Sequence, residues 1–182
     1  SLSTEGIDVN IAYSLELSDI GLDNWGSMNF DYAATFLDSI DEVPFAGADP
    51  IVCAGFYAGQ CNLPNPEYNH RLLGNWMTPL DGLRVSFTWR HIAETTLFGL
   101  DEAAAAQRPE QMNDYMEARD YFDLSANYAA TDNITIRAGV NNVFAEDAPL
   151  STNVGTGTGN NNTYPGLYDV SRFMFMGATY SF

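Results

Sequence analysis

The residues of this chain that could carry chemistry are few, and they do not form a catalytic set. The two histidines, His70 and His91, each fall on the apolar side of a predicted strand, where we interpret them as interfacial polar tips rather than catalytic bases. Spacing alone gives no argument for a Ser/His/Asp arrangement, and no G-x-S-x-G nucleophile elbow occurs. Gly155–Asn162 is glycine-rich but lacks the lysine and the strand-to-helix context of a phosphate-binding loop. We therefore expect no enzymatic activity and no bound cofactor.

The two cysteines, Cys53 and Cys61, lie close together in a segment rich in glycine, proline and asparagine. In an exported protein such a pair is expected to form a disulfide, whereas in a cytosolic protein it would be two free thiols or half of a metal site. No histidine or further cysteine stands at zinc-like spacing, which argues against a metal. The acidic pairs at 41–42 and 101–102 are interpreted as solvated loop charge, with calcium or substrate binding as the alternative.

The charge balance excludes one class of partner. The chain contains 24 acids and 7 bases, every base is an arginine, and the net charge is −17. Because phosphate contacts need a basic surface, nucleic-acid binding is excluded. The acidic excess indicates either carboxylates gathered in outward loops or general solubility.

Four charged side chains are candidates for a binding surface. Arg71 and Arg90 fall on the polar faces of two consecutive predicted strands joined by a tight turn at 79–82, so we expect them to be neighbours. Asp31 and Asp123 lie on flanking strands and are candidates to pair with them. The set is either a structural network or a direct contact for an anionic ligand.

The elements that position these residues are predicted to be strands. Apolar and polar residues alternate over seven segments, with the arginines on the polar sides. No run of about 18 apolar residues occurs, so a transmembrane helix is excluded. Such alternation is typical of strands that show one face to lipid, where an arginine would cost about 2–4 kcal/mol. The segments are Thr4–Leu17, Gly26–Ser39, Tyr68–Thr78, Leu83–Leu97, Arg119–Ala129, Ile134–Phe144 and Ser171–Phe182.

The connections between these segments alternate between short and long. The long ones cover 40–67, 98–118 and 145–170. In outer-membrane barrels the short turns lie on the periplasmic side and the long loops on the extracellular side. A soluble β-sandwich has no reason to keep this alternation, and it is the alternative fold.

The C-terminal stretch Ser171–Phe182, SRFMFMGATYSF, alternates up to a terminal aromatic residue. Upstream, the segment AGVNNVFAEDAPL contains G-x-N-N-[LVI]-F followed by an acidic, proline-containing loop. This order resembles the last strands of TonB-dependent outer-membrane receptors, strongly over 120–182 and by strand rhythm over the rest. The residues that carry the resemblance are Gly139, Asn141, Asn142, Val143, Phe144 and Phe182.

The resemblance implies that residues 1–182 are the C-terminal portion of the barrel domain of such a receptor. The fold is then an antiparallel transmembrane β-barrel segment, about seven strands of a plugged barrel of about 22 strands. The implied location is the outer membrane of a Gram-negative bacterium, in contact with lipid. The implied partners are the rest of the barrel, its plug domain and, through the N-terminal part of the receptor, the TonB complex. Because the chain starts without Met or a signal peptide, we expect a mature or internal fragment.

The resemblance also implies a function, namely energy-coupled uptake of a small, scarce nutrient such as a ferric siderophore, cobalamin or an oligosaccharide. The charged set around Arg71 and Arg90 would then contact the ligand or brace the barrel against the plug. Tyr164 and Tyr168, in the last loop, are candidate stacking surfaces for a sugar or a catechol. The alternative is a structural or adhesive surface β-protein without transport activity, and the presence of a plug domain would discriminate between the two.

Overall fold

The computed structural model describes residues 1–100, 114–151, 154 and 162–182. Over these residues the chain is mostly β-structure, with single-turn 3-10 helices at Leu17–Ile20 and Gly59–Cys61. The strands, in chain order, are β1 (Leu2–Glu16), β2 (Ser27–Glu42), β3 (Ile51–Val52), β4 (Phe56–Tyr57), β5 (Tyr68–Met77), β6 (Leu83–Ile92), β7 (Thr95–Leu97), β8 (Tyr115–Met116), β9 (Arg119–Thr131), β10 (Ile134–Asn141) and β11 (Phe173–Tyr180).

Seven long strands form one antiparallel sheet in the order β1-β2-β5-β6-β9-β10-β11, and β3 pairs with the end of β2. Each long strand therefore pairs with the long strands next to it along the chain, as in the wall of a membrane barrel. This confirms the predicted antiparallel barrel segment of about seven strands, and we call this sheet the wall. Within the described ranges, the structure contains no helical segment with the length and hydropathy that a bilayer crossing requires.

The wall has two different ends. At the turn end, the connections are short and cover 17–26, 78–82 and 132–133. At the loop end, the connections are long and cover 43–67, 93–118 and 142–172. The described parts of the long connections pack together, and we call them the cap.

Cross-strand register brings apolar side chains into rows on one face of the wall, which we call the apolar face. This face is exposed, with Ile7 at 65% and Met176 at 79%. A continuous exposed apolar surface is unfavourable in water, and it suits contact with lipid. One row, running across six strands, contains Phe30, Gly74, Phe87, Leu124, Val140 and Met174.

The predicted end of the fourth long strand is wrong. We expected it to run to Leu97, but β6 ends at Ile92, because its partner β9 begins at Arg119, directly opposite Ile92. Beyond that point β6 has no partner in the wall. Residues Thr95–Leu97 pair within the cap instead, as β7.

Two further strand limits differ from the expectation by three residues. β10 ends at Asn141 and not at Phe144, because Asn142 has a left-handed backbone with φ 52°. β2 continues past Ser39 to Glu42, because there it pairs with both β1 and β3. The long β1–β2 pair therefore extends beyond the loop end of β5, which begins opposite Phe36.

The cap contains a second, small sheet that joins two of the long connections. In it β4 pairs in parallel with β7, and β7 pairs antiparallel with β8. All three long connections contribute side chains to one buried core that reaches the loop end of the wall. This core contains Tyr57, Ala58, Ile92, Met116, Tyr121, Val154, Tyr164 and Tyr168.

A belt of aromatic and imidazole rings follows the loop end of the apolar face. Within it, His70 Nδ1 lies 2.8 Å from the Tyr68 hydroxyl, and His91 Nδ1 lies 3.0 Å from Asp120 Oδ1. Rings with polar tips suit the boundary between membrane and water. The members, linked ring to ring, are Tyr32, Phe36, Tyr68, His70, Trp89, His91, Phe122 and Phe144.

Candidate functional site

Arg71 and Arg90 lie directly opposite each other near the loop ends of β5 and β6, on the face of the wall that we call the polar face. Both line a cavity of about 560 Å³ between the wall and the cap. A cavity of this size lies in the range that holds a small-molecule ligand. Other lining residues are Asp8, Asn10, Thr35 and Asn69 from the wall and Gly166 and Leu167 from the cap.

Arg90 is the centre of an ion-pair network. Its guanidinium donates hydrogen bonds to Asp169 at 2.6 and 3.4 Å and to Asp123 at 3.4 Å. The guanidinium carbon also lies 5.2 Å from the centre of the Tyr121 ring, a cation–π contact. The Arg90 and Asp169 side chains are each 28% exposed. Partial shielding from water makes these pairs stronger than ordinary surface ion pairs.

Arg71 has a different environment although it faces Arg90. It is exposed, and within the described residues its guanidinium has no ion-pair partner. Asp31 lies opposite Leu73, and the described part of the chain contains no ion pair between Asp31 and either arginine. Like charges directly opposite each other in a sheet are unfavourable. Arg90 is compensated by two carboxylates, whereas Arg71 leaves a positive charge facing the cavity.

Asp123 links Arg90 to the start of the last long connection. Its Oδ1 accepts a hydrogen bond from the backbone N–H of Asn142 at 2.8 Å, while its Oδ2 accepts from Arg90. The buried Asn142 side chain then closes a turn, because its Nδ2 donates to the Glu146 carbonyl and its Oδ1 accepts from the Glu146 N–H. Together with the contact to Asp169, this network holds both ends of the connection 142–172 to the wall.

Gly139, another residue of the C-terminal signature, has close neighbours within this chain. A Cβ at Gly139 would come within 2.9 Å of the Leu124 carbonyl oxygen and closer still to the ring of Phe175. Asn142 therefore fixes a turn, and Gly139 leaves room for the Phe175 ring. The residues that both of them contact belong to this chain. Of the remaining signature residues, Val143 is half-buried, and the others are exposed, namely Asn141, Phe144 and Phe182.

Tyr164 and Tyr168 are packed inside the cap, where they are only 9% and 2% exposed. The Tyr164 hydroxyl donates to the Asn62 carbonyl at 2.8 Å, and its ring meets the Tyr57 ring edge-on at 6.5 Å. Burial raises the pKa of Tyr168 to about 12 and raises that of Tyr164 as well. Because protein covers their rings, stacking on a ligand would require the cap to open, and this role stays a prediction.

Cys53 and Cys61 form the disulfide that the sequence predicted for an exported protein. Both residues are buried, and the bond encloses β4, the strand that joins the connection 43–67 to the small cap sheet. Neither cysteine is among the residues that line the cavity. The position of the bond therefore indicates support of the cap rather than direct ligand contact.

Sequence reasoning missed Asp169 and a second ion-pair group centred on Arg119. Arg119 lies 3.0 Å from Glu117 and 3.3 Å from Glu146. All three acids lie in the long connections, where no alternation indicates the direction of a side chain. The available signal was the position of Asp169 just before the last strand. The acidic pair at 101–102 and the glycine-rich residues 155–161 lie outside the described part of the chain.

Comparison with known proteins supports the architecture. No protein-family model and no curated protein sequence matches the chain. Two structures of the ferric enterobactin receptor PfeA from Pseudomonas aeruginosa have a similar fold. One matches with a TM-score of 0.61 and 15% identity, and the other, in complex with enterobactin, with 0.59 and 16%. The chain has the fold of a β-barrel wall segment.

The match covers very different shares of the two chains that are compared. Each alignment covers 98% of this chain but only 22% of the PfeA chain. The chain therefore spans about a fifth of the length of the receptors that it resembles in structure. At this level of identity the likeness shows the fold alone.

Proposed function

We propose that this chain is the C-terminal part of the barrel of a TonB-dependent outer-membrane receptor that takes up an anionic ferric siderophore. In this arrangement the loop end and the cap face the outside of the cell, and the turn end faces the periplasm. The apolar face contacts outer-membrane lipid, and the polar face lines the lumen. The rest of the barrel, the plug domain and the TonB complex complete the transporter.

The observation that carries the proposal is the uncompensated charge of Arg71 beside the cavity between wall and cap. The chain as a whole carries a net charge of −17. Within the described residues Arg84, Arg137 and Arg172 have no ion pair either, but of these unpaired arginines it is Arg71 that lines the cavity. Hydrogen bonds to a charged acceptor are about twice as strong as neutral ones, so this position selects for an anion. Iron(III) held by three catecholates is trianionic, whereas iron(III) held by three hydroxamates is neutral. The site therefore favours a catecholate chelate.

Ferric enterobactin, a tris-catecholate, is the probe for the first test. The longer receptor that contains this chain is titrated with it in detergent, as wild type and as Arg71→Ala. Loss of one charged, partly exposed hydrogen bond is worth about 1–2 kcal/mol, so the affinity should fall roughly 5- to 30-fold. The affinity for a neutral ferric tris-hydroxamate should not depend on Arg71.

The matched control is Arg84→Ala. Arg84 lies on β6 and on the same face as Arg90, but opposite Met77 at the turn end. Its removal changes the net charge equally and should leave the affinity for ferric enterobactin unchanged. Equal affinities of wild type and Arg71→Ala for the anionic chelate would contradict the proposal.

A further inference from the structure

We propose that the Asp169 carboxylate competes with the ligand for Arg90. Its carboxylate occupies, at Arg90, the position that an anionic group of the chelate takes, and ligand entry displaces it. This inference rests on the proposed function and adds to it a contact that restrains the cap until an anion arrives.

The geometry of the contact is that of a bound anion. Asp169 Oδ2 lies 2.6 Å from Arg90 Nη2, and Oδ1 lies 3.4 Å from Nη1, so both carboxylate oxygens face both terminal nitrogens of the guanidinium. Two adjacent oxygens that share a negative charge bind a guanidinium in this two-pronged way. The paired oxygens of a catecholate present a similar donor–acceptor match.

Of the two carboxylates at Arg90, Asp169 is the exchangeable one. Asp123 lies within β9, and its second oxygen is occupied by the backbone N–H of Asn142. Asp169 instead lies in the cap, in the segment that leads into β11. When Asp169 leaves, Arg90 is still held by Asp123 and by the ring of Tyr121. Loss of the Asp169 contact therefore leaves the wall in place and removes one of the contacts that hold the cap to it.

The contact between Asp169 and Arg90 also lies beside the cavity, where it can compete with a bound ligand. The segment that carries Asp169 contributes Gly166 and Leu167 to the lining of the cavity, whose opposite side includes Arg71 and Arg90. Residues directly opposite each other in an antiparallel pair have Cβ atoms about 5 Å apart. A chelate with several anionic groups that contacts Arg71 therefore brings a second group to Arg90. A neutral molecule has no group with which to replace the carboxylate.

Asp169→Asn tests the inference, because it keeps the shape of the side chain and removes the charge. In the full-length receptor, the affinity for ferric enterobactin should rise about three- to tenfold, since the chelate no longer displaces a bound carboxylate. Hydrogen exchange of residues 162–169 should rise in the absence of ligand. The affinity for a neutral ferric tris-hydroxamate should stay the same.

Glu146→Gln is the matched control. Glu146 lies in the same connection and loses the same charge, but its ion pair is with Arg119, at 3.3 Å. It should change neither the affinity for ferric enterobactin nor the exchange of residues 162–169. Arg90→Gln breaks the contact from the other side, and it should raise the exchange of 162–169 while lowering the affinity.

Three results would overturn the inference. If wild type binds ferric enterobactin and Asp169→Asn binds it equally or more weakly, Asp169 is not a competitor, and the proposed function still stands. If neither Asp169→Asn nor Arg90→Gln raises the exchange of 162–169, the contact does not restrain the cap. If wild type binds no anionic ferric chelate, the proposed function fails, and the inference fails with it.

Discussion

The wall and the cap of this protein are specified in different ways. The wall depends on a repeated feature, the alternation of apolar and polar residues along seven paired strands. The cap depends on single, long-range contacts, namely one disulfide, a buried core of tyrosines and an ion-pair network at Arg90. Under the proposed function, changes in the wall should affect assembly in the membrane, whereas changes in the cap should act locally and on ligand binding.

The largest expected effect separates the two faces of the wall. Leu124 lies in mid-strand on the apolar face, and Leu124→Arg should destabilise the folded barrel in a bilayer by about 2–4 kcal/mol. Urea unfolding in liposomes measures this change. Ser125→Arg, one residue further and on the polar face, is the control and should cost far less. Similar losses in both variants would contradict the assignment of the faces.

The disulfide tests the local character of the cap. Replacing Cys53 and Cys61 together by serine should destabilise the cap by roughly 2–3 kcal/mol at most, because the closed loop is short. Hydrogen exchange should rise in residues 43–67 and stay unchanged in the long strands. An equal rise in β9 and β10 would show that wall and cap are one cooperative unit, against our account.

The turn at Asn142 tests the junction between wall and cap. Asn142→Ala removes two side-chain hydrogen bonds to Glu146 and places alanine at a positive φ, so a loss of about 1–3 kcal/mol is expected. Thermal unfolding of the full-length receptor measures it. Asn141→Ala, at the neighbouring exposed position, should be neutral. If Asn142→Ala and Asn141→Ala lose the same stability, the turn does not explain the presence of Asn142 in the signature.

The smallest effect at neutral pH concerns Tyr168. Burial raises its pKa to about 12 from the ordinary 10.0, so the folded state favours the neutral phenol. The resulting stability is fully present below pH 10 and is lost as the pH rises towards 12, with about 1.4 kcal/mol lost at pH 11. Tyr168→Phe should reduce this alkaline loss without abolishing it, because burial raises the pKa of Tyr164 as well. The loss is measured as exchange of the cap at pH 9 and pH 11. The same alkaline loss in both proteins would show that another group is responsible.

The contrast between wall and cap also decides what could be predicted from the sequence. The strands, their order and the alternation of short and long connections follow from period-two patterning, which is local. The opposition of Arg71 and Arg90 follows from the tight turn between their strands, and the structure places them in register. Where a strand lost its partner, as β6 does after Ile92, the pattern continued and the prediction failed.

The cap could not be predicted in the same way, because its contacts join residues distant in sequence. Tyr164 donates a hydrogen bond to Asn62, and Asp169 accepts hydrogen bonds from Arg90. No periodicity of the sequence relates the two residues of either pair. The burial of Tyr164 and Tyr168 does not follow from the sequence for the same reason. A tyrosine in a polar loop suggests an accessible ring, yet Tyr164 and Tyr168 form part of a core that only the folded loops create.

The most direct test of the account is the environment of alternate residues along β9 in a bilayer. Single spin labels at positions 122 to 127 of the full-length receptor report accessibility to oxygen, which partitions into lipid, and to a water-soluble nickel chelate. The account predicts high oxygen accessibility at 122, 124 and 126 and high nickel accessibility at 123, 125 and 127, except where the plug covers them. If the even and the odd positions are equally shielded from both reagents, as in the core of a soluble sandwich, the account is contradicted.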